Sequence, residues 1–313
     1  MINLLIIILI IIIFLNYILM ISSSSLLRKE QEERDLDDDL RTACYIHDVE
    51  TVRNLLSIDT NIIVSGKIPI IIDRTDMNGR TQLMNCGSDP QTEDLKKVDY
   101  DCYDIAILLK KNGANLLHVD NKKWDILSMA VTKGFIKFSK YLIEIGNVPI
   151  DHKDNDDRTA LMKAAGLGSE NIYNMLLSKG ANILEKDKNG QTAIHFLTQL
   201  ATTNNSYIPF YKRAIKNIIN KKDKNEINLN TIIDNDGRNP LMYAAIANDL
   251  ETIKILIEIG KCDPRYVTDN YGIKATSMSN KLEIQEYLSQ VVVNLVEVEH
   301  REWLRTTKYK NEF

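Results

Sequence analysis

The chain has 313 residues, 44% hydrophobic and 26% charged, the balance of a folded body and not of a disordered or fibrous one. A formal net charge of -4 gives no global attraction to nucleic acid. Cys44, Cys86, Cys102 and Cys262 show neither metal-type spacing nor a dense disulfide pattern, and read as isolated thiols.

The first element is apolar. Ile2 to Ile21 is nearly all Ile, Leu and Phe, broken by Asn3, Asn16 and Tyr17. Each such residue favours bilayer insertion by roughly 0.3–0.6 kcal/mol, which outweighs two asparagines. The run also matches a hydrocarbon thickness of about 30 Å. Two readings of residues 1–25 stand side by side. Ser22 to Ser25 supplies the small residues of a cleaved signal peptide. The length of the run, the lack of a preceding Lys or Arg, and Arg28 and Lys29 behind it fit a single-pass transmembrane anchor. Either way a membrane partner is expected, with the body membrane-associated or secreted after leader cleavage. Residues 26–39 are charged, without an apolar stripe, and are expected to be a solvated linker.

From Leu40 a helical period begins, with one short stripe at Leu40, Ala43 and Cys44 and a second at Val49, Val52, Leu55 and Leu56. After it a D-x-x-G-x-T-x-L step recurs. It stands at Asp76-Gly79-Thr81-Leu83, Asp154-Asp157-Thr159-Leu161, Asp187-Gly190-Thr192-Ile194 and Asp234-Gly237-Asn239-Leu241, with weaker copies from Asp120 and Asp269. Starts at 76, 120, 154, 187, 234 and 269 lie 44, 34, 33, 47 and 35 residues apart, a basic period of about 33. The two long spacings place insertions at 87–99, between paired helices, and around 202–226. In the copy from Asp154, Thr159 is placed to cap a first helix. Leu161, Ala164 and Ala165 face inward, Gly168 turns the chain, and Ile172, Met175, Leu176 and Leu177 form the second stripe. Gly180 ends that helix. The copy from Asp234 repeats the scheme with Pro240 at the first helical position and Gly260 at the end.

This period, opened by a turn and a T-P-L-H-like step, resembles the ankyrin repeat. The resemblance covers about 40–290 and is specific over 73–262. It implies an all-α solenoid of about six helix-turn-helix repeats with short β-turn fingers, followed by a capping helix and tail over 291–313. It also implies a non-catalytic protein–protein interaction module, not an enzyme, that binds an unidentified protein through its concave face. The alternative is an enzyme or metal-binding protein using an inserted loop.

The candidate chemistry is sparse. No P-loop, G-x-S-x-G or H-E-x-x-H motif is present, and no cofactor or small-molecule substrate is expected. His195 occupies the T-P-L-H histidine position, where it can bond Thr192 at a helix start, and a structural role is expected. His118, His152 and Glu185 share one phase of successive repeats, but stacked elements lie about 8–10 Å apart, too far for ligands about 2 Å from one metal. No metal site is therefore expected. Lys212, Arg213, Lys216, Lys221, Lys222 and Lys224 are basic but lack interleaved aromatics, and no nucleic-acid partner is expected. One row is a candidate for holding a partner. The residue four after each opening Asp is Arg80, Trp124, Arg158, Gln191 and Arg238, and the resemblance places that row on the fingers beside the groove. Trp and Arg are the side chains most enriched at binding hot spots.

Overall fold

The computed structural model describes residues 37–65, 72–86, 94–220, 227–265 and 268–310. The apolar run 2–21, most of the linker and the insertion residues 87–93 and 221–226 lie outside them. Among the described residues no helix is long and apolar enough to cross a membrane. The chain divides into two compact units, Met1–Asn121 and Lys122–Phe313.

In the first unit, α1 over 37–45 and α2 (Val49–Ser65) precede a single 3-10 turn, Leu83–Asn85, and α3 (Leu95–Lys111). The linker ends earlier than its charge suggests. Asp37 is already helical and buried, because Arg74 Nη1 donates to it at 2.7 Å. The insertion is also shorter than the spacing implies. Asp94 accepts the N–H groups of Lys96 and Lys97 at 3.1 Å each, so 95–99 become the first turn of α3. Among the described residues, the first helix of that repeat is represented by the 3-10 turn.

The second unit is a run of helical pairs: α4 (Ile126–Lys133) with α5 (Ile136–Glu144), α6 (Ala160–Gly166) with α7 (Glu170–Ser178), and α8 (Ala193–Thr203) with α9 (Ile208–Asn220). They are followed by α10 (Pro240–Ile246) with α11 (Leu250–Glu258), and α12 (Ala275–Met278) with α13 (Leu282–Lys310). The first helices α4, α6, α8, α10 and α12 pack in succession as an inner row, and α5, α7, α9 and α11 form the outer one. Leu161, Ala164, Ala165, Leu241, Ala244 and Ala245 are fully buried there, the alanines letting neighbouring backbones approach. Each helix pair buries only one side alone, so stacking completes the core. In α7 the buried set is Ile172, Tyr173 and Leu176, while Met175 and Leu177 stay half-buried. Tyr173 reaches across to Phe210 of α9, edge to face at 5.5 Å.

Side-chain caps mark where several inner helices begin. Asp125, Thr159 and Asn239 accept the N–H three residues on, from Ser128, Met162 and Met242. Lys274 stands in that place before α12 and cannot accept, and α12 runs only four residues. The insertion near 202–206 lengthens α8 to Thr203 and adds a 3-10 turn, Asn205–Tyr207, whose Tyr207 ring fills the space beside Gly168. Gly260 does not turn the chain; Lys261 takes the positive φ, of 56°, and Gly260 is small because Leu256 O presses on it. The expected capping helix starts earlier than 291, since α13 is continuous from Leu282, anchored by buried Ile284 and Leu288.

Candidate binding groove

Five of the six opening aspartates build a turn with one oxygen. Oδ1 of Asp76, Asp154, Asp187, Asp234 and Asp269 accepts the backbone N–H groups two and four residues on, at 2.8–3.0 Å. The third residue after the aspartate is forced to positive φ. It is 76° at Gly79, 75° at Gly190 and 79° at Gly237 and Gly272, but Lys123 and Asp157 also adopt it, at 55° and 59°. Turns then join into a ladder. The N–H of Asn155, Lys188, Asn235 and Asn270 donates to the carbonyl of Lys122, Asp156, Asn189 and Asp236 in the preceding finger, at 2.8–3.0 Å. In the first unit Asn121 N–H meets Asn78 O in the same way at 2.9 Å.

The second oxygen, Oδ2, takes a side chain nine residues on: Asn85 for Asp76 at 3.0 Å, Lys163 for Asp154 at 2.6 Å and Tyr243 for Asp234 at 2.7 Å. Burial alone pushes the Asp154 carboxyl up, but the Lys163 hydrogen bond and the backbone N–H donors outweigh it and hold the group below the usual carboxylate range. For Asp120 and Asp187 the ninth residue is apolar, Met129 and Phe196. There the arginine of the preceding turn approaches instead, Arg80 Nε donating to Asp120 at 3.2 Å and Arg158 Nε forming an ion pair with Asp187 at 3.6 Å without a hydrogen bond.

The same regularity holds the partner row. Arg80, Trp124, Arg158, Gln191 and Arg238 are half-buried. The first four engage the next turn or its ninth residue. Trp124 lies under Lys163 Nζ, 4.5 Å from the ring centre. Gln191 Nε2 donates to Tyr243 Oη at 2.5 Å, and Arg158 also covers the Phe196 ring at 5.3 Å. Arg238 instead turns to Asp236 of its own finger at 3.2 Å.

The histidines act as ties between turns. His195 Nδ1 accepts the Thr192 N–H at 3.0 Å, and its Nε2 meets Arg238 O at 3.1 Å, which assigns the proton to Nε2. His118 Nε2 meets Gly79 O at 2.7 Å within the first unit, and His152 Nε2 meets Lys123 O at 2.8 Å within the second. Glu185 pairs with Lys153 at 2.8 Å. Among the described residues no group of three or more His, Cys, Asp or Glu could hold a metal.

Between the fingers and the inner helices of the second unit lies a cleft of about 260 Å³. Trp124, Arg158 and Asp156 line it from the fingers, and Met162, Leu167 and Phe196 from α6, its following turn and α8. Its wall is apolar and its mouth carries both charge signs, an arrangement that receives one large apolar or aromatic side chain with polar neighbours. Of these residues, Trp124 and Arg158 belong to the expected row. Leu167 and Phe196 do not, because their role depends on which repeats are neighbours.

A family model described as ankyrin repeats (three copies) matches residues 97–187 and 184–268. Over 182 residues the chain is 30% identical to the phosphocholine transferase AnkX of Legionella pneumophila, covering 57% of this chain and 18% of that protein. Over 93 residues it is 36% identical to a putative ankyrin repeat-containing protein of Treponema pallidum, covering 29% of this chain and 30% of that one. The matches thus span less than a third of either relative. Among solved structures, the ankyrin repeat domain of Bcl-3 superposes with a TM-score of 0.60 at 16% identity, over 80% of this chain and 97% of that one. The human ASB11 ankyrin repeat domain does so at 0.56 and 15%, over 80% and 96%. At such identity the likeness is one of fold alone.

Proposed function

The chain belongs to the ankyrin-repeat family, and on that premise we propose that it is a non-catalytic module that seats a protein partner in the groove beside Trp124, at a membrane reached through the apolar run 2–21. Ankyrin repeats indicate protein–protein interaction. The cleft points to where a partner would sit. Leu167 is 47% exposed at its rim, and Trp124 and Phe196 stand half-buried within reach of a visiting side chain. Aromatic and arginine side chains around a desolvated pocket are the usual centre of an interface. Membrane association rests on the hydropathy of residues 2–21 alone.

The test places a photo-crosslinking residue at Leu167 or, as a control on the outer helix row, at Glu251 in the full chain expressed in its own cells. A protein adduct at 167 and none at 251 is the expected outcome. Adducts at 251 and none at 167 would move the binding face to the outer row. Deleting residues 2–21 should shift the chain from the membrane pellet to the soluble fraction, and retention in the pellet refutes that part.

A further inference from the structure

The first unit holds a feature that the interaction reading does not use. Cys86 closes the 3-10 turn left where an inner helix would stand, and Cys102 sits in the middle of α3. Their Sγ atoms are 2.7 Å apart, within about 0.7 Å of a covalent S–S bond of about 2.05 Å. Both side chains are buried, 3% and 0% exposed. The two residues lie 16 apart in sequence, on either side of the insertion 87–93. Their spacing along the chain marks them only as isolated thiols; the fold makes them neighbours.

We propose that Cys86 and Cys102 are a redox pair that closes to an intramolecular disulfide, a covalent staple across the shortened repeat. The step is thiol–disulfide exchange with a disulfide of the oxidised glutathione class. One cysteine thiolate attacks a sulfur of R–S–S–R, forming a mixed disulfide and expelling RS⁻. The other thiolate then attacks the protein-side sulfur, forming Cys86–S–S–Cys102 and expelling the second RS⁻. Two thiol protons end on two R–SH, and the two electrons lost by the pair reduce the reagent. The geometry suits the repeat's need. Among the described residues this repeat has a three-residue 3-10 turn in the position where α4, α6, α8 and α10 run seven to eleven residues, so fewer ordered residues hold the chain there. A bond spanning about 15 residues narrows the unfolded ensemble instead. Cys44 is a buried thiol of the same unit and is therefore the competing connection.

The full chain, held in detergent, is equilibrated with glutathione buffers of graded redox ratio until the product pattern stops changing. It is then quenched in acid, alkylated under denaturing conditions and digested with trypsin. The expected product joins peptide 81–96 to peptide 98–110 and is two hydrogens lighter than their sum, while Cys44 and Cys262 are recovered alkylated. Oxidised chain should melt higher than reduced chain by about 5 °C or more. Cys262→Ser should retain this shift and Cys86→Ser should lose it. Recovery of all four cysteines alkylated at every ratio, or a dominant Cys44–Cys102 linkage, overturns the proposal. Because the linkage is mapped on the wild-type chain, the outcome does not depend on how well either variant folds.

Discussion

His195 on one repeat ties itself to Arg238 on the next, its Nε2 lying 3.1 Å from the arginine's carbonyl while Nδ1 accepts the Thr192 N–H at 3.0 Å. Burial lowers the pKa of this imidazole from its ordinary 6.5, with the Arg238 carbonyl opposing in part. The folded chain therefore resists a proton that the unfolded chain accepts. Stability from this residue is fully present above the unfolded value near 6.5 and is lost as pH falls from there toward the lowered folded value. The melting temperature should drop between pH 7 and 5, ahead of the carboxylate range where Asp76 and Asp154 are affected. His195→Gln should flatten that segment, at a loss of about 1–3 kcal/mol for the tie it weakens. An equal pH slope in the variant would assign the effect to other groups.

The turn position three after each aspartate gives expectations of opposite sign according to the residue that occupies it. Lys123 adopts φ 55° with a side chain that makes this region strained, so Lys123→Gly should stabilise by about 1 kcal/mol. Asp157, at 59°, tolerates the region better, and Asp157→Gly should gain less. At Gly190 a Cβ would lie 2.5 Å from Asn235 Oδ1 and 2.7 Å from its backbone N, in addition to the φ penalty. Gly190→Ala should therefore lose about 2 kcal/mol or more, since the finger ladder runs through that asparagine. Urea midpoints of the three variants decide it: destabilisation by both glycine substitutions would contradict the turn geometry.

Trp124 separates binding from folding. Its ring supports Lys163, which in turn holds Asp154, so Trp124→Ala costs up to about 2 kcal/mol of stability through the lost cation–π contact. That corresponds to a melting shift of a few degrees. As a central anchor it should contribute about 2 kcal/mol to a buried interface, and partner capture should fall about thirtyfold. Capture measured beside thermal melts checks both. Unchanged capture with a lowered melt would make Trp124 a purely structural residue.

The repeat pattern is readable in the residues because each turn is a local event. Asp, Gly and Thr act within nine positions of one another, so their spacing reveals the turn, the cap and the first helix without knowledge of neighbours. The capping role of Thr159, the N-terminal Pro240 and the bonding of His195 to Thr192 follow from that locality.

What the tertiary structure decided is everything that passes between repeats. Sequence order alone could place Arg80, Trp124, Arg158 and Gln191 in one row, but not show that the partner each takes depends on the ninth residue of the following turn. Residues some 40 apart meet there only after the helices stack, and insertions make that separation irregular. The same cause hid Cys86 beside Cys102 and Phe196 in the cleft with Trp124. Local periodicity determined the repeating unit; the stacking of one unit on the next, driven by apolar faces that no single unit can bury, determined its surface.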